Sequence, residues 1–422
     1  MRWKIVEEKI IKISDKIYLH LLNKDKFKTN FVAAFYLSEL KKENITINAL
    51  IPSVLTRGTK NLQTMKDINI KLDELYGASL DGSSDKIGDV QALQFYITTI
   101  DDKYALNGEN LLEDSVKLLL DVIYNPKLVD GKFDAEYVKQ EKENLGELIK
   151  ARINDKSQYA ISRCIEEMYK DLPYGEYKYG NIEDLKDINE TNLYEQYKRI
   201  LAESEIHFYV VSSSEVDSSW FDVAKKYSNS SVIESTKESS KSVSGEKDII
   251  EKQDVTQGKI VIGYDVNIDT NNDLYKAQVY NAILGASSNS KMFQNVREKE
   301  SLAYTARSTY LKHKSALFVF AGIEIDKYEK AITTIEKQVQ DMRDGEFSEE
   351  DIKDAKVFLK NIMNSYDDSP DVLIDLSMGQ WIMGMKDSIS EMIEKIESVS
   401  REDILYVANK VTLNTKYFLT GK

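Results

Sequence analysis

Apolar runs of strand length alternate along this chain with stretches whose apolar residues fall three and four positions apart, and the order of these elements occurs twice. In the first half, Phe31-Val32-Ala33-Ala34-Phe35-Tyr36-Leu37 is followed by a helical stretch and then by Leu72-Asp73-Glu74-Leu75-Tyr76-Gly77-Ala78-Ser79. The second half offers Lys259-Ile260-Val261-Ile262-Gly263-Tyr264, a helical stretch, and Val296-Arg297-Glu298-Lys299-Glu300-Ser301-Leu302-Ala303-Tyr304. Next, the run from Leu93 to Ile100 leads into Asp102-Lys103-Tyr104, and the run from Ala316 to Ile323 leads into Asp326-Lys327-Tyr328. Each predicts a strand that feeds an amphipathic helix, around 111–123 and around 328–342. Phe133-Asp134-Ala135-Glu136 and Phe347-Ser348-Glu349-Glu350 then open two long helices. Asp134 and Ser348 are the expected N-caps, because their side-chain oxygens can accept the unpaired amides of a first turn. The repeat predicts an α+β protein of two homologous domains, each an antiparallel sheet packed with long helices.

Between the halves, Ser228 to Gln253 is rich in Ser, Lys and Glu with only scattered aliphatics, which is the composition of a solvated linker. The expected organisation is an N-terminal domain over 1–230, a linker over 231–253 and a C-terminal domain over 254–422. With 422 residues and 42% apolar content there is enough material for substantial cores. No run reaches the roughly 18 apolar residues of a membrane span, and acidic residues come too early for a secretory signal, so a cytoplasmic location is expected. The single cysteine, Cys164, excludes an internal disulfide and reads as a small buried hydrophobe. A formal charge of −14 argues against nucleic acid or an anionic membrane as partner and is compatible with basic peptides.

Local chemistry is sparse. The three histidines, His20, His207 and His313, are too far apart for any local zinc pair, and no cysteine-based metal spacing exists. His207 lies in the strand-like run Ile206-His207-Phe208-Tyr209-Val210-Val211 and reads as a hydrogen-bonded structural histidine. There is no GxxxxGK[ST], no GxGxxG and no GxSxG, so nucleotide binding and serine hydrolysis have no support. Ser290 to Tyr304 reads, by its periodicity, as an amphipathic helix ending in a polar turn, with Arg297 a solvated charge.

That same segment, Ser290-Lys291-Met292-Phe293-Gln294-Asn295-Val296-Arg297-Glu298-Lys299-Glu300-Ser301-Leu302-Ala303-Tyr304, resembles the S-x-L-F-x-x-[VI]-R-E-x-x-x-L-A-Y pattern of the second domain of pitrilysin/insulinase-type zinc peptidases. Arg57-Gly58-Thr59, Leu75-Tyr76-Gly77-Ala78 and Leu172-Pro173-Tyr174-Gly175 match recurrent positions of that family, so the resemblance covers essentially the whole chain. It implies that Arg297 and Tyr304 face a catalytic zinc and hold substrate. The family's inverted motif HxxEH places two imidazoles one helical turn apart with a glutamate between them as general base. Counting back from Arg57-Gly58-Thr59, those slots hold Ala49, Pro52 and Ser53, and the distal glutamate slot on the helix around Glu141 to Ile149 holds Leu148. Glu147 is adjacent to that slot but points about 100° away on a helix. Pro52 lacks an amide hydrogen and is expected in a first helical turn rather than mid-helix.

The run Ile149-Lys150-Ala151-Arg152-Ile153-Asn154-Asp155-Lys156-Ser157-Gln158-Tyr159-Ala160 is similar to a bacterial branch of the family that lacks the zinc motif. That branch occurs with an HxxEH-bearing sister and is associated with 5-aminopentanol modification of elongation factor P. The resemblance therefore implies half of a clamshell: a pseudo-peptidase subunit with no metal or other cofactor of its own. It would pair with a zinc-bearing homologous subunit and lend Arg297 and Tyr304 to peptide hydrolysis. Two other readings compete with it. A non-catalytic scaffold or chaperone would keep the fold for assembly alone, and an active lone peptidase would carry stoichiometric zinc.

Overall fold

The structure, a computed structural model, describes residues 8–228, 241–243 and 245–422. Two compact units emerge, Met1–Lys150 with Glu176–Glu238, and Ala151–Gly175 with Ser239–Lys422. Among the described residues no helix is long and apolar enough to cross a membrane.

The first unit is built on a six-stranded sheet of β1 (Lys9–Ser14), β2 (Ile17–Asn23), β3 (Thr29–Glu39), β4 (Ser79–Ile87), β5 (Val90–Ile100) and β8 (Glu205–Ser212). Their order is β1-β2-β8-β3-β5-β4. All neighbours are antiparallel except β2 and β8, which run parallel. The continuous apolar run of β3 follows from its position: Val32 through Leu37 are buried on both faces. One face packs on α1 (Lys42–Leu55), α3 (Leu111–Tyr124) and α7 (Glu190–Glu203) through a core that includes Leu50, Val54, Val116, Leu119 and Leu193. Around this core lie α2 (Met65–Glu74), the two-stranded ribbon of β6 (Leu128–Val129) with β7 (Lys132–Phe133), α4 (Ala135–Ala151) and the short α6 (Ile182–Leu185). Asp134 caps α4 as expected, accepting the Glu136 amide at 3.0 Å.

The second unit repeats this plan. Its five strands, β9 (Lys247–Gln253), β10 (Gly258–Val266), β11 (Ala303–Leu311), β12 (Ala316–Ile323) and β13 (Val411–Gly421), are ordered β11-β12-β10-β13-β9. Again one pair is parallel, β13 with β9, and the rest are antiparallel. Strand order thus runs β4-β5-β3-β8-β2 in one unit and β11-β12-β10-β13-β9 in the other, the register of a duplication. β9 lies inside the segment read from composition as linker; its alternation Lys247-Asp248-Ile249-Ile250-Glu251-Lys252-Gln253 suits an edge strand, whereas 229–240 and 244 lie outside the described residues. The inner face packs on α8 (Thr270–Asn281), α9 (Tyr328–Arg343), α10 (Glu349–Ser365), α12 (Ile389–Ser398) and α13 (Arg401–Ala408), with α11 (Pro370–Ile382) between α10 and α12 in the chain. Ser348 caps α10 in a reciprocal box with Asp351.

The outer face of this second sheet is covered by α5 (Lys156–Met168), a helix contributed by the earlier part of the chain. Ala160, Cys164 and Met168 pack there on Val261, Phe318, Phe320, Tyr417 and Leu419. Arg163 fixes the helix through ion pairs with Glu167 at 3.0 Å and with Glu251 of β9 at 3.2 Å. Cys164 is fully buried, and burial pushes its thiol far above the usual range. Native protein is accordingly expected to resist thiol reagents such as dithiobisnitrobenzoate, with the one thiol reacting only on denaturation; fast labelling of folded protein would contradict this packing.

Candidate functional site

One group of candidate residues lies at the end of α1. Ala49 and Pro52 are buried, and Ser53 is half-buried. Pro52 stands three residues before the end of the helix, not in its first turn, and its carbonyl accepts the Thr56 amide at 3.2 Å. Its ring packs on β4, where a Cβ on Gly82 would come within 3.1 Å of the Pro52 Cβ. Beside Ala49, Asn48 donates to Gln91 at 2.8 Å and accepts from Gln196 at 2.8 Å, so the neighbouring polarity is fully used in joining α1, β5 and α7. A methyl, a pyrrolidine ring and one hydroxyl supply neither an imidazole nor a carboxylate.

On α4, Leu148 projects to solvent at 55% exposure, an apolar group where a ligand carboxylate would be needed. Glu147 points elsewhere and pairs with Lys150 at 2.8 Å on the surface. The carboxylate that is held inward is Glu141, buried and engaged by the Arg57 guanidinium just beyond α1. This pair ties the Arg57-Gly58-Thr59 loop to α4, and Asn144 also donates to Glu141 at 3.3 Å. Its charge is therefore already neutralised. Breaking a partly buried pair from one side strands the other charge, so Glu141→Ala is expected to cost about 2–3 kcal/mol of stability. Urea unfolding checks this, and Arg57→Met combined with Glu141→Leu should recover much of the loss.

A second group of candidate residues lies in the other unit. Residues 292–299 form a helix of wide π-type pitch, and the chain reverses at Ser301, a non-glycine residue with φ 48°, before entering β11. The periodic helix expected over this segment thus ends earlier than Tyr304, which lies on a strand. Leu302 anchors the reversal, its amide bonded to the Val296 carbonyl at 3.0 Å. Pairing with β12 shifts between Ala303 and Thr305, which makes a bulge at Tyr304 and leaves its ring 59% exposed. Arg297 is also exposed; its guanidinium lies 4.7 Å from the Phe293 ring centroid and 3.5 Å from its neighbour Glu298. Pi-pitch turns and bulges re-aim side chains without disturbing the surrounding core, and here they present a guanidinium and a phenol to solvent.

The histidines form a contact that sequence separation conceals. His20 of β2 and His207 of β8 meet at 2.9 Å between Nε2 and Nδ1, with Glu8 at 2.6 Å from His20 and Glu205 at 2.8 Å from His207. Burial pushes His207 below the ordinary imidazole range. Two ring nitrogens in direct hydrogen-bond contact leave no room for a metal between them, which would need about 2.0–2.1 Å to each. Among the described residues no group of three or more potential ligands is placed to hold a metal ion. The residues at the zinc-motif slots, Ala49, Pro52, Ser53 and Leu148, do not fit zinc.

Comparisons with known proteins give the family. Residues 187–358 match the family described as "Peptidase M16 inactive domain". The chain is 36% identical over 409 residues, 95% of both proteins, to the "Probable inactive metalloprotease YmfF" of Bacillus subtilis (strain 168). It is 20% identical over 163 residues, 38% of this chain and 40% of the other, to the "Uncharacterized zinc protease YmxG" of the same organism. In fold it is similar to a conserved protein from Enterococcus faecalis V583, with a TM-score of 0.87 and 24% identity over 98% of this chain and 99% of that one. The near full-length match to the Bacillus subtilis protein and the match of residues 187–358 together place this chain in the M16 peptidase family, as a homologue of a probable inactive metalloprotease.

Proposed function

We infer that the chain is a pseudo-peptidase subunit which pairs with an HxxEH-bearing homologous subunit and supplies peptide contacts to that partner's active site. The observation that carries this reading is the asymmetry between the two groups of candidate residues. The α1 slots hold Ala49, Pro52 and Ser53, and Leu148 completes a metal-free set, whereas Arg297 and Tyr304 stay exposed on a re-aimed turn. The π-pitch turn and the bulge of that bend turn both groups outward. In this role Arg297 grips a peptide carbonyl or carboxylate, and Tyr304 donates a hydrogen bond to the oxyanion that develops during hydrolysis. The zinc belongs to the sister subunit. The proposed setting is the cytoplasm, in the elongation factor P modification with which this branch of the family is associated.

Co-expression tests this directly. Affinity-tagged chain is expected to co-purify a sister subunit bearing HxxEH, and the pair is expected to cleave unstructured peptides that neither subunit cleaves alone. A sister that is fully active by itself and ignores this chain would overturn the reading in favour of a scaffold.

A further inference from the structure

The line of hydrogen bonds through His20 and His207 is short of one proton when both rings are neutral. Glu8, just ahead of β1, His20 of β2, and His207 and Glu205 of β8 make three contacts in series. These are 2.6 Å from Glu8 to His20 Nδ1, 2.9 Å from His20 Nε2 to His207 Nδ1, and 2.8 Å from His207 Nε2 to Glu205. Strand register brings the rings together: along the parallel β2–β8 pair Tyr18 lies opposite His207 and His20 opposite Tyr209, so the imidazoles meet diagonally between two rungs. Tyr18 stacks on His207 at a centroid distance of 5.2 Å, and Tyr209 on His20 at 4.2 Å. Both imidazoles are fully buried, whereas the Glu8 and Glu205 side chains are 26% and 21% exposed.

Each of the three contacts needs one proton between its heavy atoms, and an ionised carboxylate brings none. Two neutral imidazoles bring two. If His20 Nδ1–H donates to Glu8 and His207 Nε2–H donates to Glu205, two lone pairs face each other across the central 2.9 Å. Turning either proton inward repairs that contact and leaves a bare ring nitrogen against a carboxylate oxygen at 2.6 or 2.8 Å. In a dry site an unmade hydrogen bond is most costly, so the line favours a third proton. A fourth is opposed, because burial and the charge of His20 both push His207 down. Among the described residues, the other titratable groups facing the rings are Tyr18 and Tyr209. On β1, Ile10 lies opposite His20, and Lys12, opposite Tyr18, pairs with Asp15 at 3.0 Å. On β3, Phe35 lies opposite His207 and Ala33 opposite Tyr209.

We propose that Glu8, His20, His207 and Glu205 form a proton-held clasp, in which one proton beyond those of two neutral imidazoles bridges the rings, ties the β1–β2 hairpin to β8, and leaves as pH rises. The sign follows from linkage. In the unfolded chain each histidine titrates separately near pH 6.5, about the ordinary imidazole value. In the folded unit the central hydrogen bond and two flanking carboxylates favour the charged form of the pair, so its first proton is held above that range. The clasp's contribution is therefore complete below about pH 6.5 and is lost as pH rises through the folded pair's own transition. Without that proton the facing lone pairs repel, the rings part, and the hairpin loses its side-chain tie to β8 while keeping its backbone ladder. The clasp involves neither a partner nor a peptide, so it stands apart from the role of the chain as a subunit.

The chain has three histidines, so ring nitrogen-15 labelling of the full-length protein gives three imidazole spin systems, and His313→Gln identifies the third. Long-range proton–nitrogen correlation is followed as pH is raised from about 6 to about 9, across and beyond the ordinary imidazole range. His20 and His207 are expected to carry one positive charge between them at neutral pH and to lose it in a single joint transition above that range. Amide exchange in Ile17–Asn23 and Glu205–Ser212 should quicken through the same transition. Glu8→Gln separates the proton count from the packing. Its amide donates to His20 Nδ1, His20 Nε2–H donates to His207 and His207 Nε2–H to Glu205, so three bonds form with two neutral rings. This variant should show both rings neutral at neutral pH, and a urea midpoint that stays level where that of wild type falls. Glu205→Gln makes the same test from the other end if Glu8→Gln does not fold, and the wild-type spectra decide by themselves. Two neutral rings in wild type at neutral pH, two independent titrations, or the same joint transition in a glutamine variant would each overturn the proposal.

Discussion

Arg297→Ala is expected to leave the complex with an HxxEH-bearing sister assembled while lowering its kcat on peptides by about 10²–10³-fold, the usual cost of removing one preorganised group aimed at the reacting carbonyl. The local structure explains why the effect should be specific. Arg297 is exposed, it packs on Phe293, and among the described residues its one ion pair is with its sequence neighbour, so truncation opens no cavity and strands no buried charge. Subunit affinity, measured by size exclusion or calorimetry, should therefore stay within a few-fold of wild type. Tyr304→Phe is the sharper companion, because it removes a single hydroxyl from an exposed ring at a bulge. Its loss should fall on kcat with little change in KM, the signature of a contact made only in the transition state. Unchanged turnover in both variants would assign the segment to structure and leave the scaffold as the surviving account.

The largest effect on stability is expected from Gly180→Ala. Gly180 has φ 72°, a conformation that costs an alanine roughly 1–2 kcal/mol by itself. An added Cβ would also fall 1.8 Å from the Thr46 Oγ1 and 2.8 Å from its Cβ, on the buried side of α1. Thr46 cannot yield without loss, since its hydroxyl donates to Asp184 at 2.7 Å and receives the Asn181 amide at 3.2 Å. Strain and overpacking together are expected to cost about 3 kcal/mol or more. Gly77→Ala is the control: φ is also 72°, but nothing lies within 4 Å, so its cost should be near 1 kcal/mol. Comparable unfolding midpoints for the two variants in urea would show that the Gly180 turn is free to move away from α1.

Much of the fold was legible because buried strands advertise themselves. β12 coincides with the continuous apolar run Ala316–Ile323, and the helices expected around 111–123 and 328–342 appear as α3 and α9 with their apolar stripes inward. Periodicity reports which face of a helix is apolar and not which sheet it meets. Nothing local in Lys156–Met168 told that α5 would pack with β10 and β13 of the second unit. The same limit hid the contacts of high sequence separation: Arg57 with Glu141, 84 positions apart, and His20 with His207, 187 positions apart. Both are pairings of polar groups that only a closed sheet or a folded helix layer brings together. Of the candidate residues, the α1 slots and Leu148 were proposed only through a motif whose residues are missing, and Arg297 and Tyr304 through a motif that is present. The bulge and π-pitch turn that expose them left no signal, because such irregularities come from one extra residue in a register and not from composition.

The most direct measurement of the central claim is the metal content of the chain purified without a partner, incubated with excess zinc, exchanged into metal-free buffer and analysed by inductively coupled plasma mass spectrometry. A side-chain set of methyl, proline, hydroxyl and leucine cannot retain zinc against dilution, so the account predicts content at the level of the buffer blank. One zinc per chain, retained after exchange and lost on mutating residues of α1 or α4, would contradict it.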